Sequence, residues 1–161
     1  MIKDTIIFDL DGTLANGKHR NWAVPAAEDA HMTWAWNKHN LLCLEDAPIQ
    51  NTVDMCNILF ETHNIIILTG RCEISKSLTV EWLARHNVNY NQLIMREEDD
   101  NRPDTSIKEE ELLLIGLDNI LCCFDDLEHV ADMMRGLGLT CYLVNKYTTP
   151  RVDTVQREDV A

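Results

Sequence analysis

The chain's apolar positions fall into short runs and helical repeats that alternate along its length. Thr5 to Phe8 is an apolar run of strand length, read as a strand buried on both faces. Pro48 can start a helix, and Ile49, Val53, Cys56, Leu59 and Phe60 recur at helical spacing as far as His63. Ile65-Ile66-Ile67-Leu68 is a second buried strand, followed by a helix over about 74–86 carrying Leu78, Trp82 and Leu83. Tyr90 to Met95 makes a third strand. Ser106 and Glu109 form a Ser-x-x-Glu capping box that opens a helix running to about Ile115, which puts Lys108 in its first turn. Asn119 to Phe124 is a further strand, and a helix over 128–137 turns Val130, Met133 and Met134 inward until Gly138 stops it. Thr140 to Val144 gives the last strand. Strands alternating with helices at this spacing predict an α/β fold with a doubly wound, mainly parallel sheet.

In such sheets ligands bind beyond the carboxyl ends of the strands. Four successive strands here end in polar chemistry: Asp9-Leu10-Asp11, Thr69-Gly70-Arg71, Met95-Arg96 and Asp125-Asp126. Asp9 and Asp11 would share a face if their strand continued regularly, and two like charges that close repel. The pair therefore implies a hard divalent metal, an acid/base partnership, or both. Gly12 lets the chain turn away and brings backbone N–H groups near the carboxylates. Gly12 to Lys18 also fits seven positions of a phosphate-cradling P-loop. His19 stands where that motif needs Ser or Thr, and no apolar-periodic helix follows, so the match is read as coincidence.

Between the first strand and Pro48, residues 15–46 are irregular and polar, and hold three of the four tryptophans, Trp22, Trp34 and Trp36. A connection that long inside a compact domain is usually functional, and a small, partly helical cap over the carboxylates is expected. Arg20 is its best-placed cation. One domain over 1–145, with this insert, and a tail over 146–161 without a periodic apolar face complete the expected organisation.

Composition narrows the partners. Fourteen Lys and Arg against 27 Asp and Glu give a net charge of −13, which disfavours an extended track for a nucleic-acid backbone. A phosphate substrate must then be met by local cations and a metal. The six cysteines show no Cys-x-x-Cys spacing, Cys122-Cys123 lies in an apolar run, and all are read as reduced and structural, which suits a cytoplasmic setting. No run approaches a membrane span, and no signal-peptide pattern opens the chain.

The stretch Asp9-x-Asp11-Gly12-Thr13 after a hydrophobic strand resembles the first motif of the haloacid dehalogenase (HAD) superfamily. Thr69, Lys108 and Asp125-Asp126 follow in the order of its other three motifs. More narrowly, these residues with Arg20, Thr69-Gly70-Arg71, the Arg102-Pro103-Asp104 loop and Met133-Met134-Arg135-Gly136-Leu137-Gly138 look like the phosphatase domain of phage-type polynucleotide kinase/phosphatases, which removes 3'-phosphates from nucleic-acid ends. Where that family often has Arg after the paired aspartates, this chain has Leu127.

The resemblance implies a HAD-like fold and a magnesium-dependent phosphomonoesterase. Asp9 would be the nucleophile that becomes a phospho-aspartate, and Asp11 the general acid and then base. Mg2+ would be held by Asp9, Asp125 and the backbone carbonyl of Asp11. Thr69 and Lys108 would bind the transferring phosphoryl oxygens, and Asp126 would orient the lysine or a metal-bound water. Arg20, Gly70, Arg71, Arg96 and Arg102 are the expected substrate-binding set, since a guanidinium grips phosphate bidentately. The substrate is expected to be a 3'-phosphorylated nucleic-acid end or a nucleotide, and the oligomeric state is left open. Rival readings are a deoxynucleoside monophosphatase, a catalytically silent binding module on the same fold, and a receiver-like domain, which would need its acidic pair on a separate strand.

Overall fold

A computed structural model describes residues 3–148. Its elements in chain order are β1 (Thr5–Phe8), β2 (Ala15–Asn16), α1 (Asn37–Leu41), β3 (Ala47–Pro48), α2 (Gln50–Phe60), β4 (Asn64–Cys72), α3 (Lys76–Arg85), β5 (Gln92–Arg96), α4 (Asp104–Ile115), β6 (Ile120–Asp125), α5 (Glu128–Gly136) and β7 (Cys141–Leu143). Among the described residues the main sheet has five strands in the order β5-β4-β1-β6-β7, every neighbouring pair parallel. From β1 the chain builds β4 and β5 on one side, then crosses to build β6 and β7 on the other. The point of reversal lies between β1 and β6, where an α/β sheet opens its crevice.

The period of two along the central strands sorts their side chains between two cores. Ile6 and Phe8 of β1, with Ile65 and Ile67 of β4, pack against Val53 and Cys56 of α2 and Trp82 and Leu83 of α3. Ile7, Ile66 and Leu68 face the other way, onto Leu112 of α4 and Val130, Ala131 and Met134 of α5. Phe8 and Phe124, partners in register across β1 and β6, stack at 4.5 Å between ring centroids. Such two-sided burial is why these strands read as continuous apolar runs. The six cysteines are all buried and unpaired.

Three sequence expectations change. The second strand does not stop at Leu68; β4 continues through Thr69-Gly70-Arg71 to Cys72, with a register irregularity against β5 between Thr69 and Cys72. The Ser106 capping box does not form. Helix α4 starts at Asp104 behind Pro103, with no side-chain cap, and the Ser106 and Ile107 amides donate to the Pro103 carbonyl. A carboxylate in the first turn suits the helix dipole, and Pro103 fixes the entry, so Lys108 falls in the second turn, four residues after Asp104. Third, the end of the chain is not shapeless from Asn145 on: Asn145 and Tyr147 line the cavity described below, while residues 149–161 of the expected tail lie outside the described residues.

Residues 15–46 leave and rejoin the body at one place. Ala15 pairs with Pro48 and Asn16 with Ala47 in a two-residue antiparallel ladder, and the Ile49 amide donates to the Leu14 carbonyl. Between these ends run 3-10 turns at Lys18–Ala23, Thr33–Trp36 and Cys43–Glu45 and the short helix α1. Lys18 opens a 3-10 turn where a P-loop would begin an α-helix, in keeping with a coincidental match. Trp36 is buried and donates to the Ala30 carbonyl, whereas Trp22 and Trp34 are exposed. No helix among the described residues is long and apolar enough to cross a membrane.

Candidate active site

A cavity of about 450 Å³ opens at the carboxyl ends of the strands. Asp9 follows β1 and Asp125 ends β6, so the two stand on either side of the reversal point. Lys108 reaches in from α4 and joins them: its Nζ donates to Asp9 Oδ1 at 3.0 Å and to Asp125 Oδ2 at 2.9 Å, and lies 3.3 Å from Asp104 Oδ2. Thr13 Oγ1 donates to Asp9 Oδ2, and the Leu127 amide to Asp125 Oδ1. Asp9, Asp125, Asp126 and Lys108 are all buried. Burial pushes the Asp9 carboxyl well above its usual range, Asp125 and Asp126 add to the effect, and Lys108 opposes it. Burial also works against the Lys108 ammonium, but Asp104, Asp125 and Asp9 outweigh it and hold the charge in place.

Asp9, Asp125 and Asp126 each offer a carboxylate oxygen, all within 4.8 Å of one another. One ammonium does not balance three buried carboxylates, and a hard dication with oxygen ligands fits the remaining negative charge. Asp126 thus stands with the metal-capable group, and its Oδ2 accepts from the Tyr147 hydroxyl at 2.6 Å.

Asp11 points elsewhere. Its Oδ1 accepts from Nη2 of Arg20 and from Nη2 of Arg71, both at 2.6 Å, and its Oδ2 accepts from Arg71 Nε at 3.2 Å. Asp46, whose side chain is wholly buried, lies behind the pair: its Oδ2 accepts from Arg20 Nη2 at 2.7 Å and Arg71 Nη2 at 3.2 Å, and its Oδ1 from Arg20 Nε at 2.8 Å. His39 lies 2.8 Å from Arg20 Nη1 through its Nδ1, and its carbonyl accepts from the same nitrogen. Burial would raise the Asp11 carboxyl, but Arg71 and Arg20 overcome it and keep the group well below the ordinary carboxylate range. The same contacts raise both arginines.

Among the remaining expected residues, Thr69 is buried on the cavity wall, and its hydroxyl accepts from the Arg71 amide at 3.1 Å. At Gly70 a Cβ would meet Asp104 Oδ1 at 2.0 Å, so any side chain there would push the Asp104 carboxylate out of its place beside Lys108. Arg96 lines the cavity; its Nε and Nη1 donate to the carbonyls of Gly70, Asp100 and Arg102, while its buried Nη2 makes no hydrogen bond and lies 3.6 Å from Asp104 Oδ1. Arg102 is outside the cavity lining. Half exposed, it is held by Asp100 of its own loop at 2.7 Å and by Glu110 of α4. Sequence reading missed Asp46, His39 and Tyr147. Asp46 follows Glu45 at the end of a segment of mixed charge, and a carboxylate in such a place is too common to single out.

A family model described as the polynucleotide kinase PNKP phosphatase domain matches residues 3–148. Two solved structures of the Pnkp1/Rnl/Hen1 complex, one described as an RNA repair complex, each contain a similar chain. The first is 26% identical with a TM-score of 0.71 over 91% of this chain and 44% of that one. The second is 25% identical with a TM-score of 0.72 over 92% and 48%. The present chain thus spans less than half the length of these relatives. A HAD family enzyme from Bacteroides thetaiotaomicron, solved with magnesium and inorganic phosphate, shares the fold at 12% identity and a TM-score of 0.51 over 90% of this chain and 97% of its own. No curated protein matches the sequence.

Proposed function

We propose that this chain, which belongs to the family of polynucleotide kinase PNKP phosphatase domains and is a phosphoric monoester hydrolase of the HAD superfamily, takes 3'-phosphates off polynucleotide ends through an aspartyl-phosphate. The observation that carries the reading is the buried triad Asp9, Asp125 and Asp126 closed by Lys108 at the sheet's reversal point. Membership of a family named for a polynucleotide kinase, and likeness to a chain of an RNA repair complex, support a nucleic-acid end as the substrate.

Asp9 attacks phosphorus in line, displacing the sugar oxygen and becoming phosphorylated on a carboxylate oxygen; water then attacks the phosphorus and restores the carboxylate. Mg2+ held by Asp9, Asp125 and Asp126, with the Asp11 backbone carbonyl, would offset the repulsion between an anionic nucleophile and an anionic substrate. Lys108 and the Thr69 hydroxyl stabilise charge on the equatorial oxygens. Asp11 gives a proton to the leaving oxygen and later takes one from water. Because Arg20 and Arg71 hold it ionised, Asp11 becomes an acid only as substrate oxygens draw a guanidinium toward themselves. Residues 15–46 act as the cap, and Asp46 and His39 position Arg20.

The net charge of −13 favours a second reading, a monophosphatase acting on free nucleotides. Phosphate release from a 3'-phosphorylated oligonucleotide and from 3'- and 5'-mononucleotides, with Mg2+ or EDTA, separates the two. Preference for the oligonucleotide is expected; preference for a mononucleotide overturns the end-processing reading. Asp9→Asn is expected to abolish turnover, and retained activity would exclude the covalent route.

A further inference from the structure

Trp22 is 67% exposed, on the same 3-10 turn that sends Lys18, Arg20 and Asn21 to the cavity wall. Packing does not account for it, since the turn is anchored by its buried residues Arg20 and Ala23. One face of the indole is set by Lys38 of α1, whose Nζ lies 4.5 Å from the ring centroid. An ammonium over a ring fixes the ring's orientation and adds positive potential beside it. Along the chain, Gly12 to Ala27, just ahead of Glu28 and Asp29, contains no carboxylate and carries the exposed Lys18 beside Arg20, whose charge is met by Asp11 and Asp46. The other loop at the cavity, residues 97–104, bears Glu97, Glu98, Asp99, Asp100 and Asp104, while its Arg102 is already paired. Leu127 adds no cation to the wall. A polyanion leaving the cavity over residues 97–104 is therefore repelled, whereas one leaving past the Lys18–Ala23 turn meets Lys18 on the wall and, on the same turn, the exposed Trp22 ring with Lys38 against it.

We propose that Trp22, oriented by Lys38, is a stacking platform for a base of the substrate strand 5' to the phosphorylated terminal nucleotide, with Lys18 and Lys38 meeting the intervening phosphate. The platform rests on the end-processing reading and adds the feature that reading lacked, a grip on strand beyond the terminal nucleotide in a chain of net negative charge. Stacking is tolerant of sequence, because every base has a π face.

The test compares wild type, Trp22→Ala and Trp22→Phe on a 3'-phosphorylated tetranucleotide and on a nucleoside 3'-monophosphate. Loss of one base stack is expected to raise KM for the tetranucleotide about fivefold or more in Trp22→Ala, with kcat little changed. KM for the mononucleotide should stay within about twofold of wild type, and Trp22→Phe should recover most of the loss. A tetranucleotide KM unaffected by Trp22→Ala, or one that rises in step with the mononucleotide KM, overturns the platform and leaves the end-processing reading standing. A wild-type chain that hydrolyses only mononucleotides overturns both.

Discussion

Arg71 donates to both carboxylate oxygens of Asp11, Nη2 to Oδ1 at 2.6 Å and Nε to Oδ2 at 3.2 Å. Together with Arg20 this keeps Asp11 ionised far below the usual carboxylate range. A carboxyl depressed in the folded chain stabilises it fully above the unfolded value of about 4, and that contribution drains away as pH falls from there toward the depressed folded value. Asp9 has the opposite sign, since its raised carboxyl favours the folded chain as acid is added. The comparison must therefore isolate Asp11. Wild type is expected to lose more unfolding free energy than Asp11→Asn between about pH 5 and pH 2 in urea titrations; equal losses would show that the arginines do not hold the charge.

Asp46 touches no substrate in the proposed reaction, yet it joins Arg20 to Arg71 from behind. Asp46→Ala leaves two buried guanidiniums with one carboxylate between them. Breaking a buried pair costs about 3–5 kcal/mol, which denaturant unfolding would register. Turnover should fall even at temperatures where the variant stays folded, because the arginines no longer hold their fork on Asp11.

Metal binding can be read without turnover. Titrated with Mg2+, wild type is expected to gain about 2.7 kcal/mol of stability at a hundredfold excess over the dissociation constant. Asp125→Asn, which removes one carboxylate charge from the triad, should gain much less. An equal gain in both would place the ion elsewhere.

The sheet and the location of the site were legible because each strand announces its carboxyl end. Ile6-Ile7-Phe8 breaks into Asp9, and Cys122-Cys123-Phe124 into Asp125-Asp126, with no intervening surface residues to blur the boundary. What holds the site was harder to see. Arg20 and Arg71 read as phosphate ligands, but their first partners are Asp11 and Asp46, brought together across 9 to 60 residues of chain. Local sequence carries no trace of such a pairing. Arg102 differs in the opposite way: its partner Asp100 is two residues away, a short-range ion pair on a cation that the pattern assigns to substrate.

Arg102→Ala is accordingly expected to change kcat/KM less than about twofold and to leave the unfolding midpoint almost unmoved, as befits a surface pair. Steady-state kinetics would show a larger drop if Arg102 met the substrate.

The thiols offer a check on the core. Burial pushes Cys56 and Cys141 up to about 12, so almost none of either is thiolate at pH 8. Iodoacetamide should leave the folded chain unmodified at these positions over an hour and alkylate all six cysteines once the chain is unfolded, as intact mass would show.

The two-residue ladder of Ala15–Asn16 with Ala47–Pro48 makes the segment between them a handle on a fixed hinge plate. Arg20 and Asp46, which the chemistry needs, sit near its two ends, whereas the middle, from Val24 to Lys38, is free of them. Lengthening a loop whose ends are already pinned costs only about 0.6 kcal/mol per doubling. The fold can thus take changes of length in the exposed part of that middle without moving the acid, the nucleophile or the sheet that carries them.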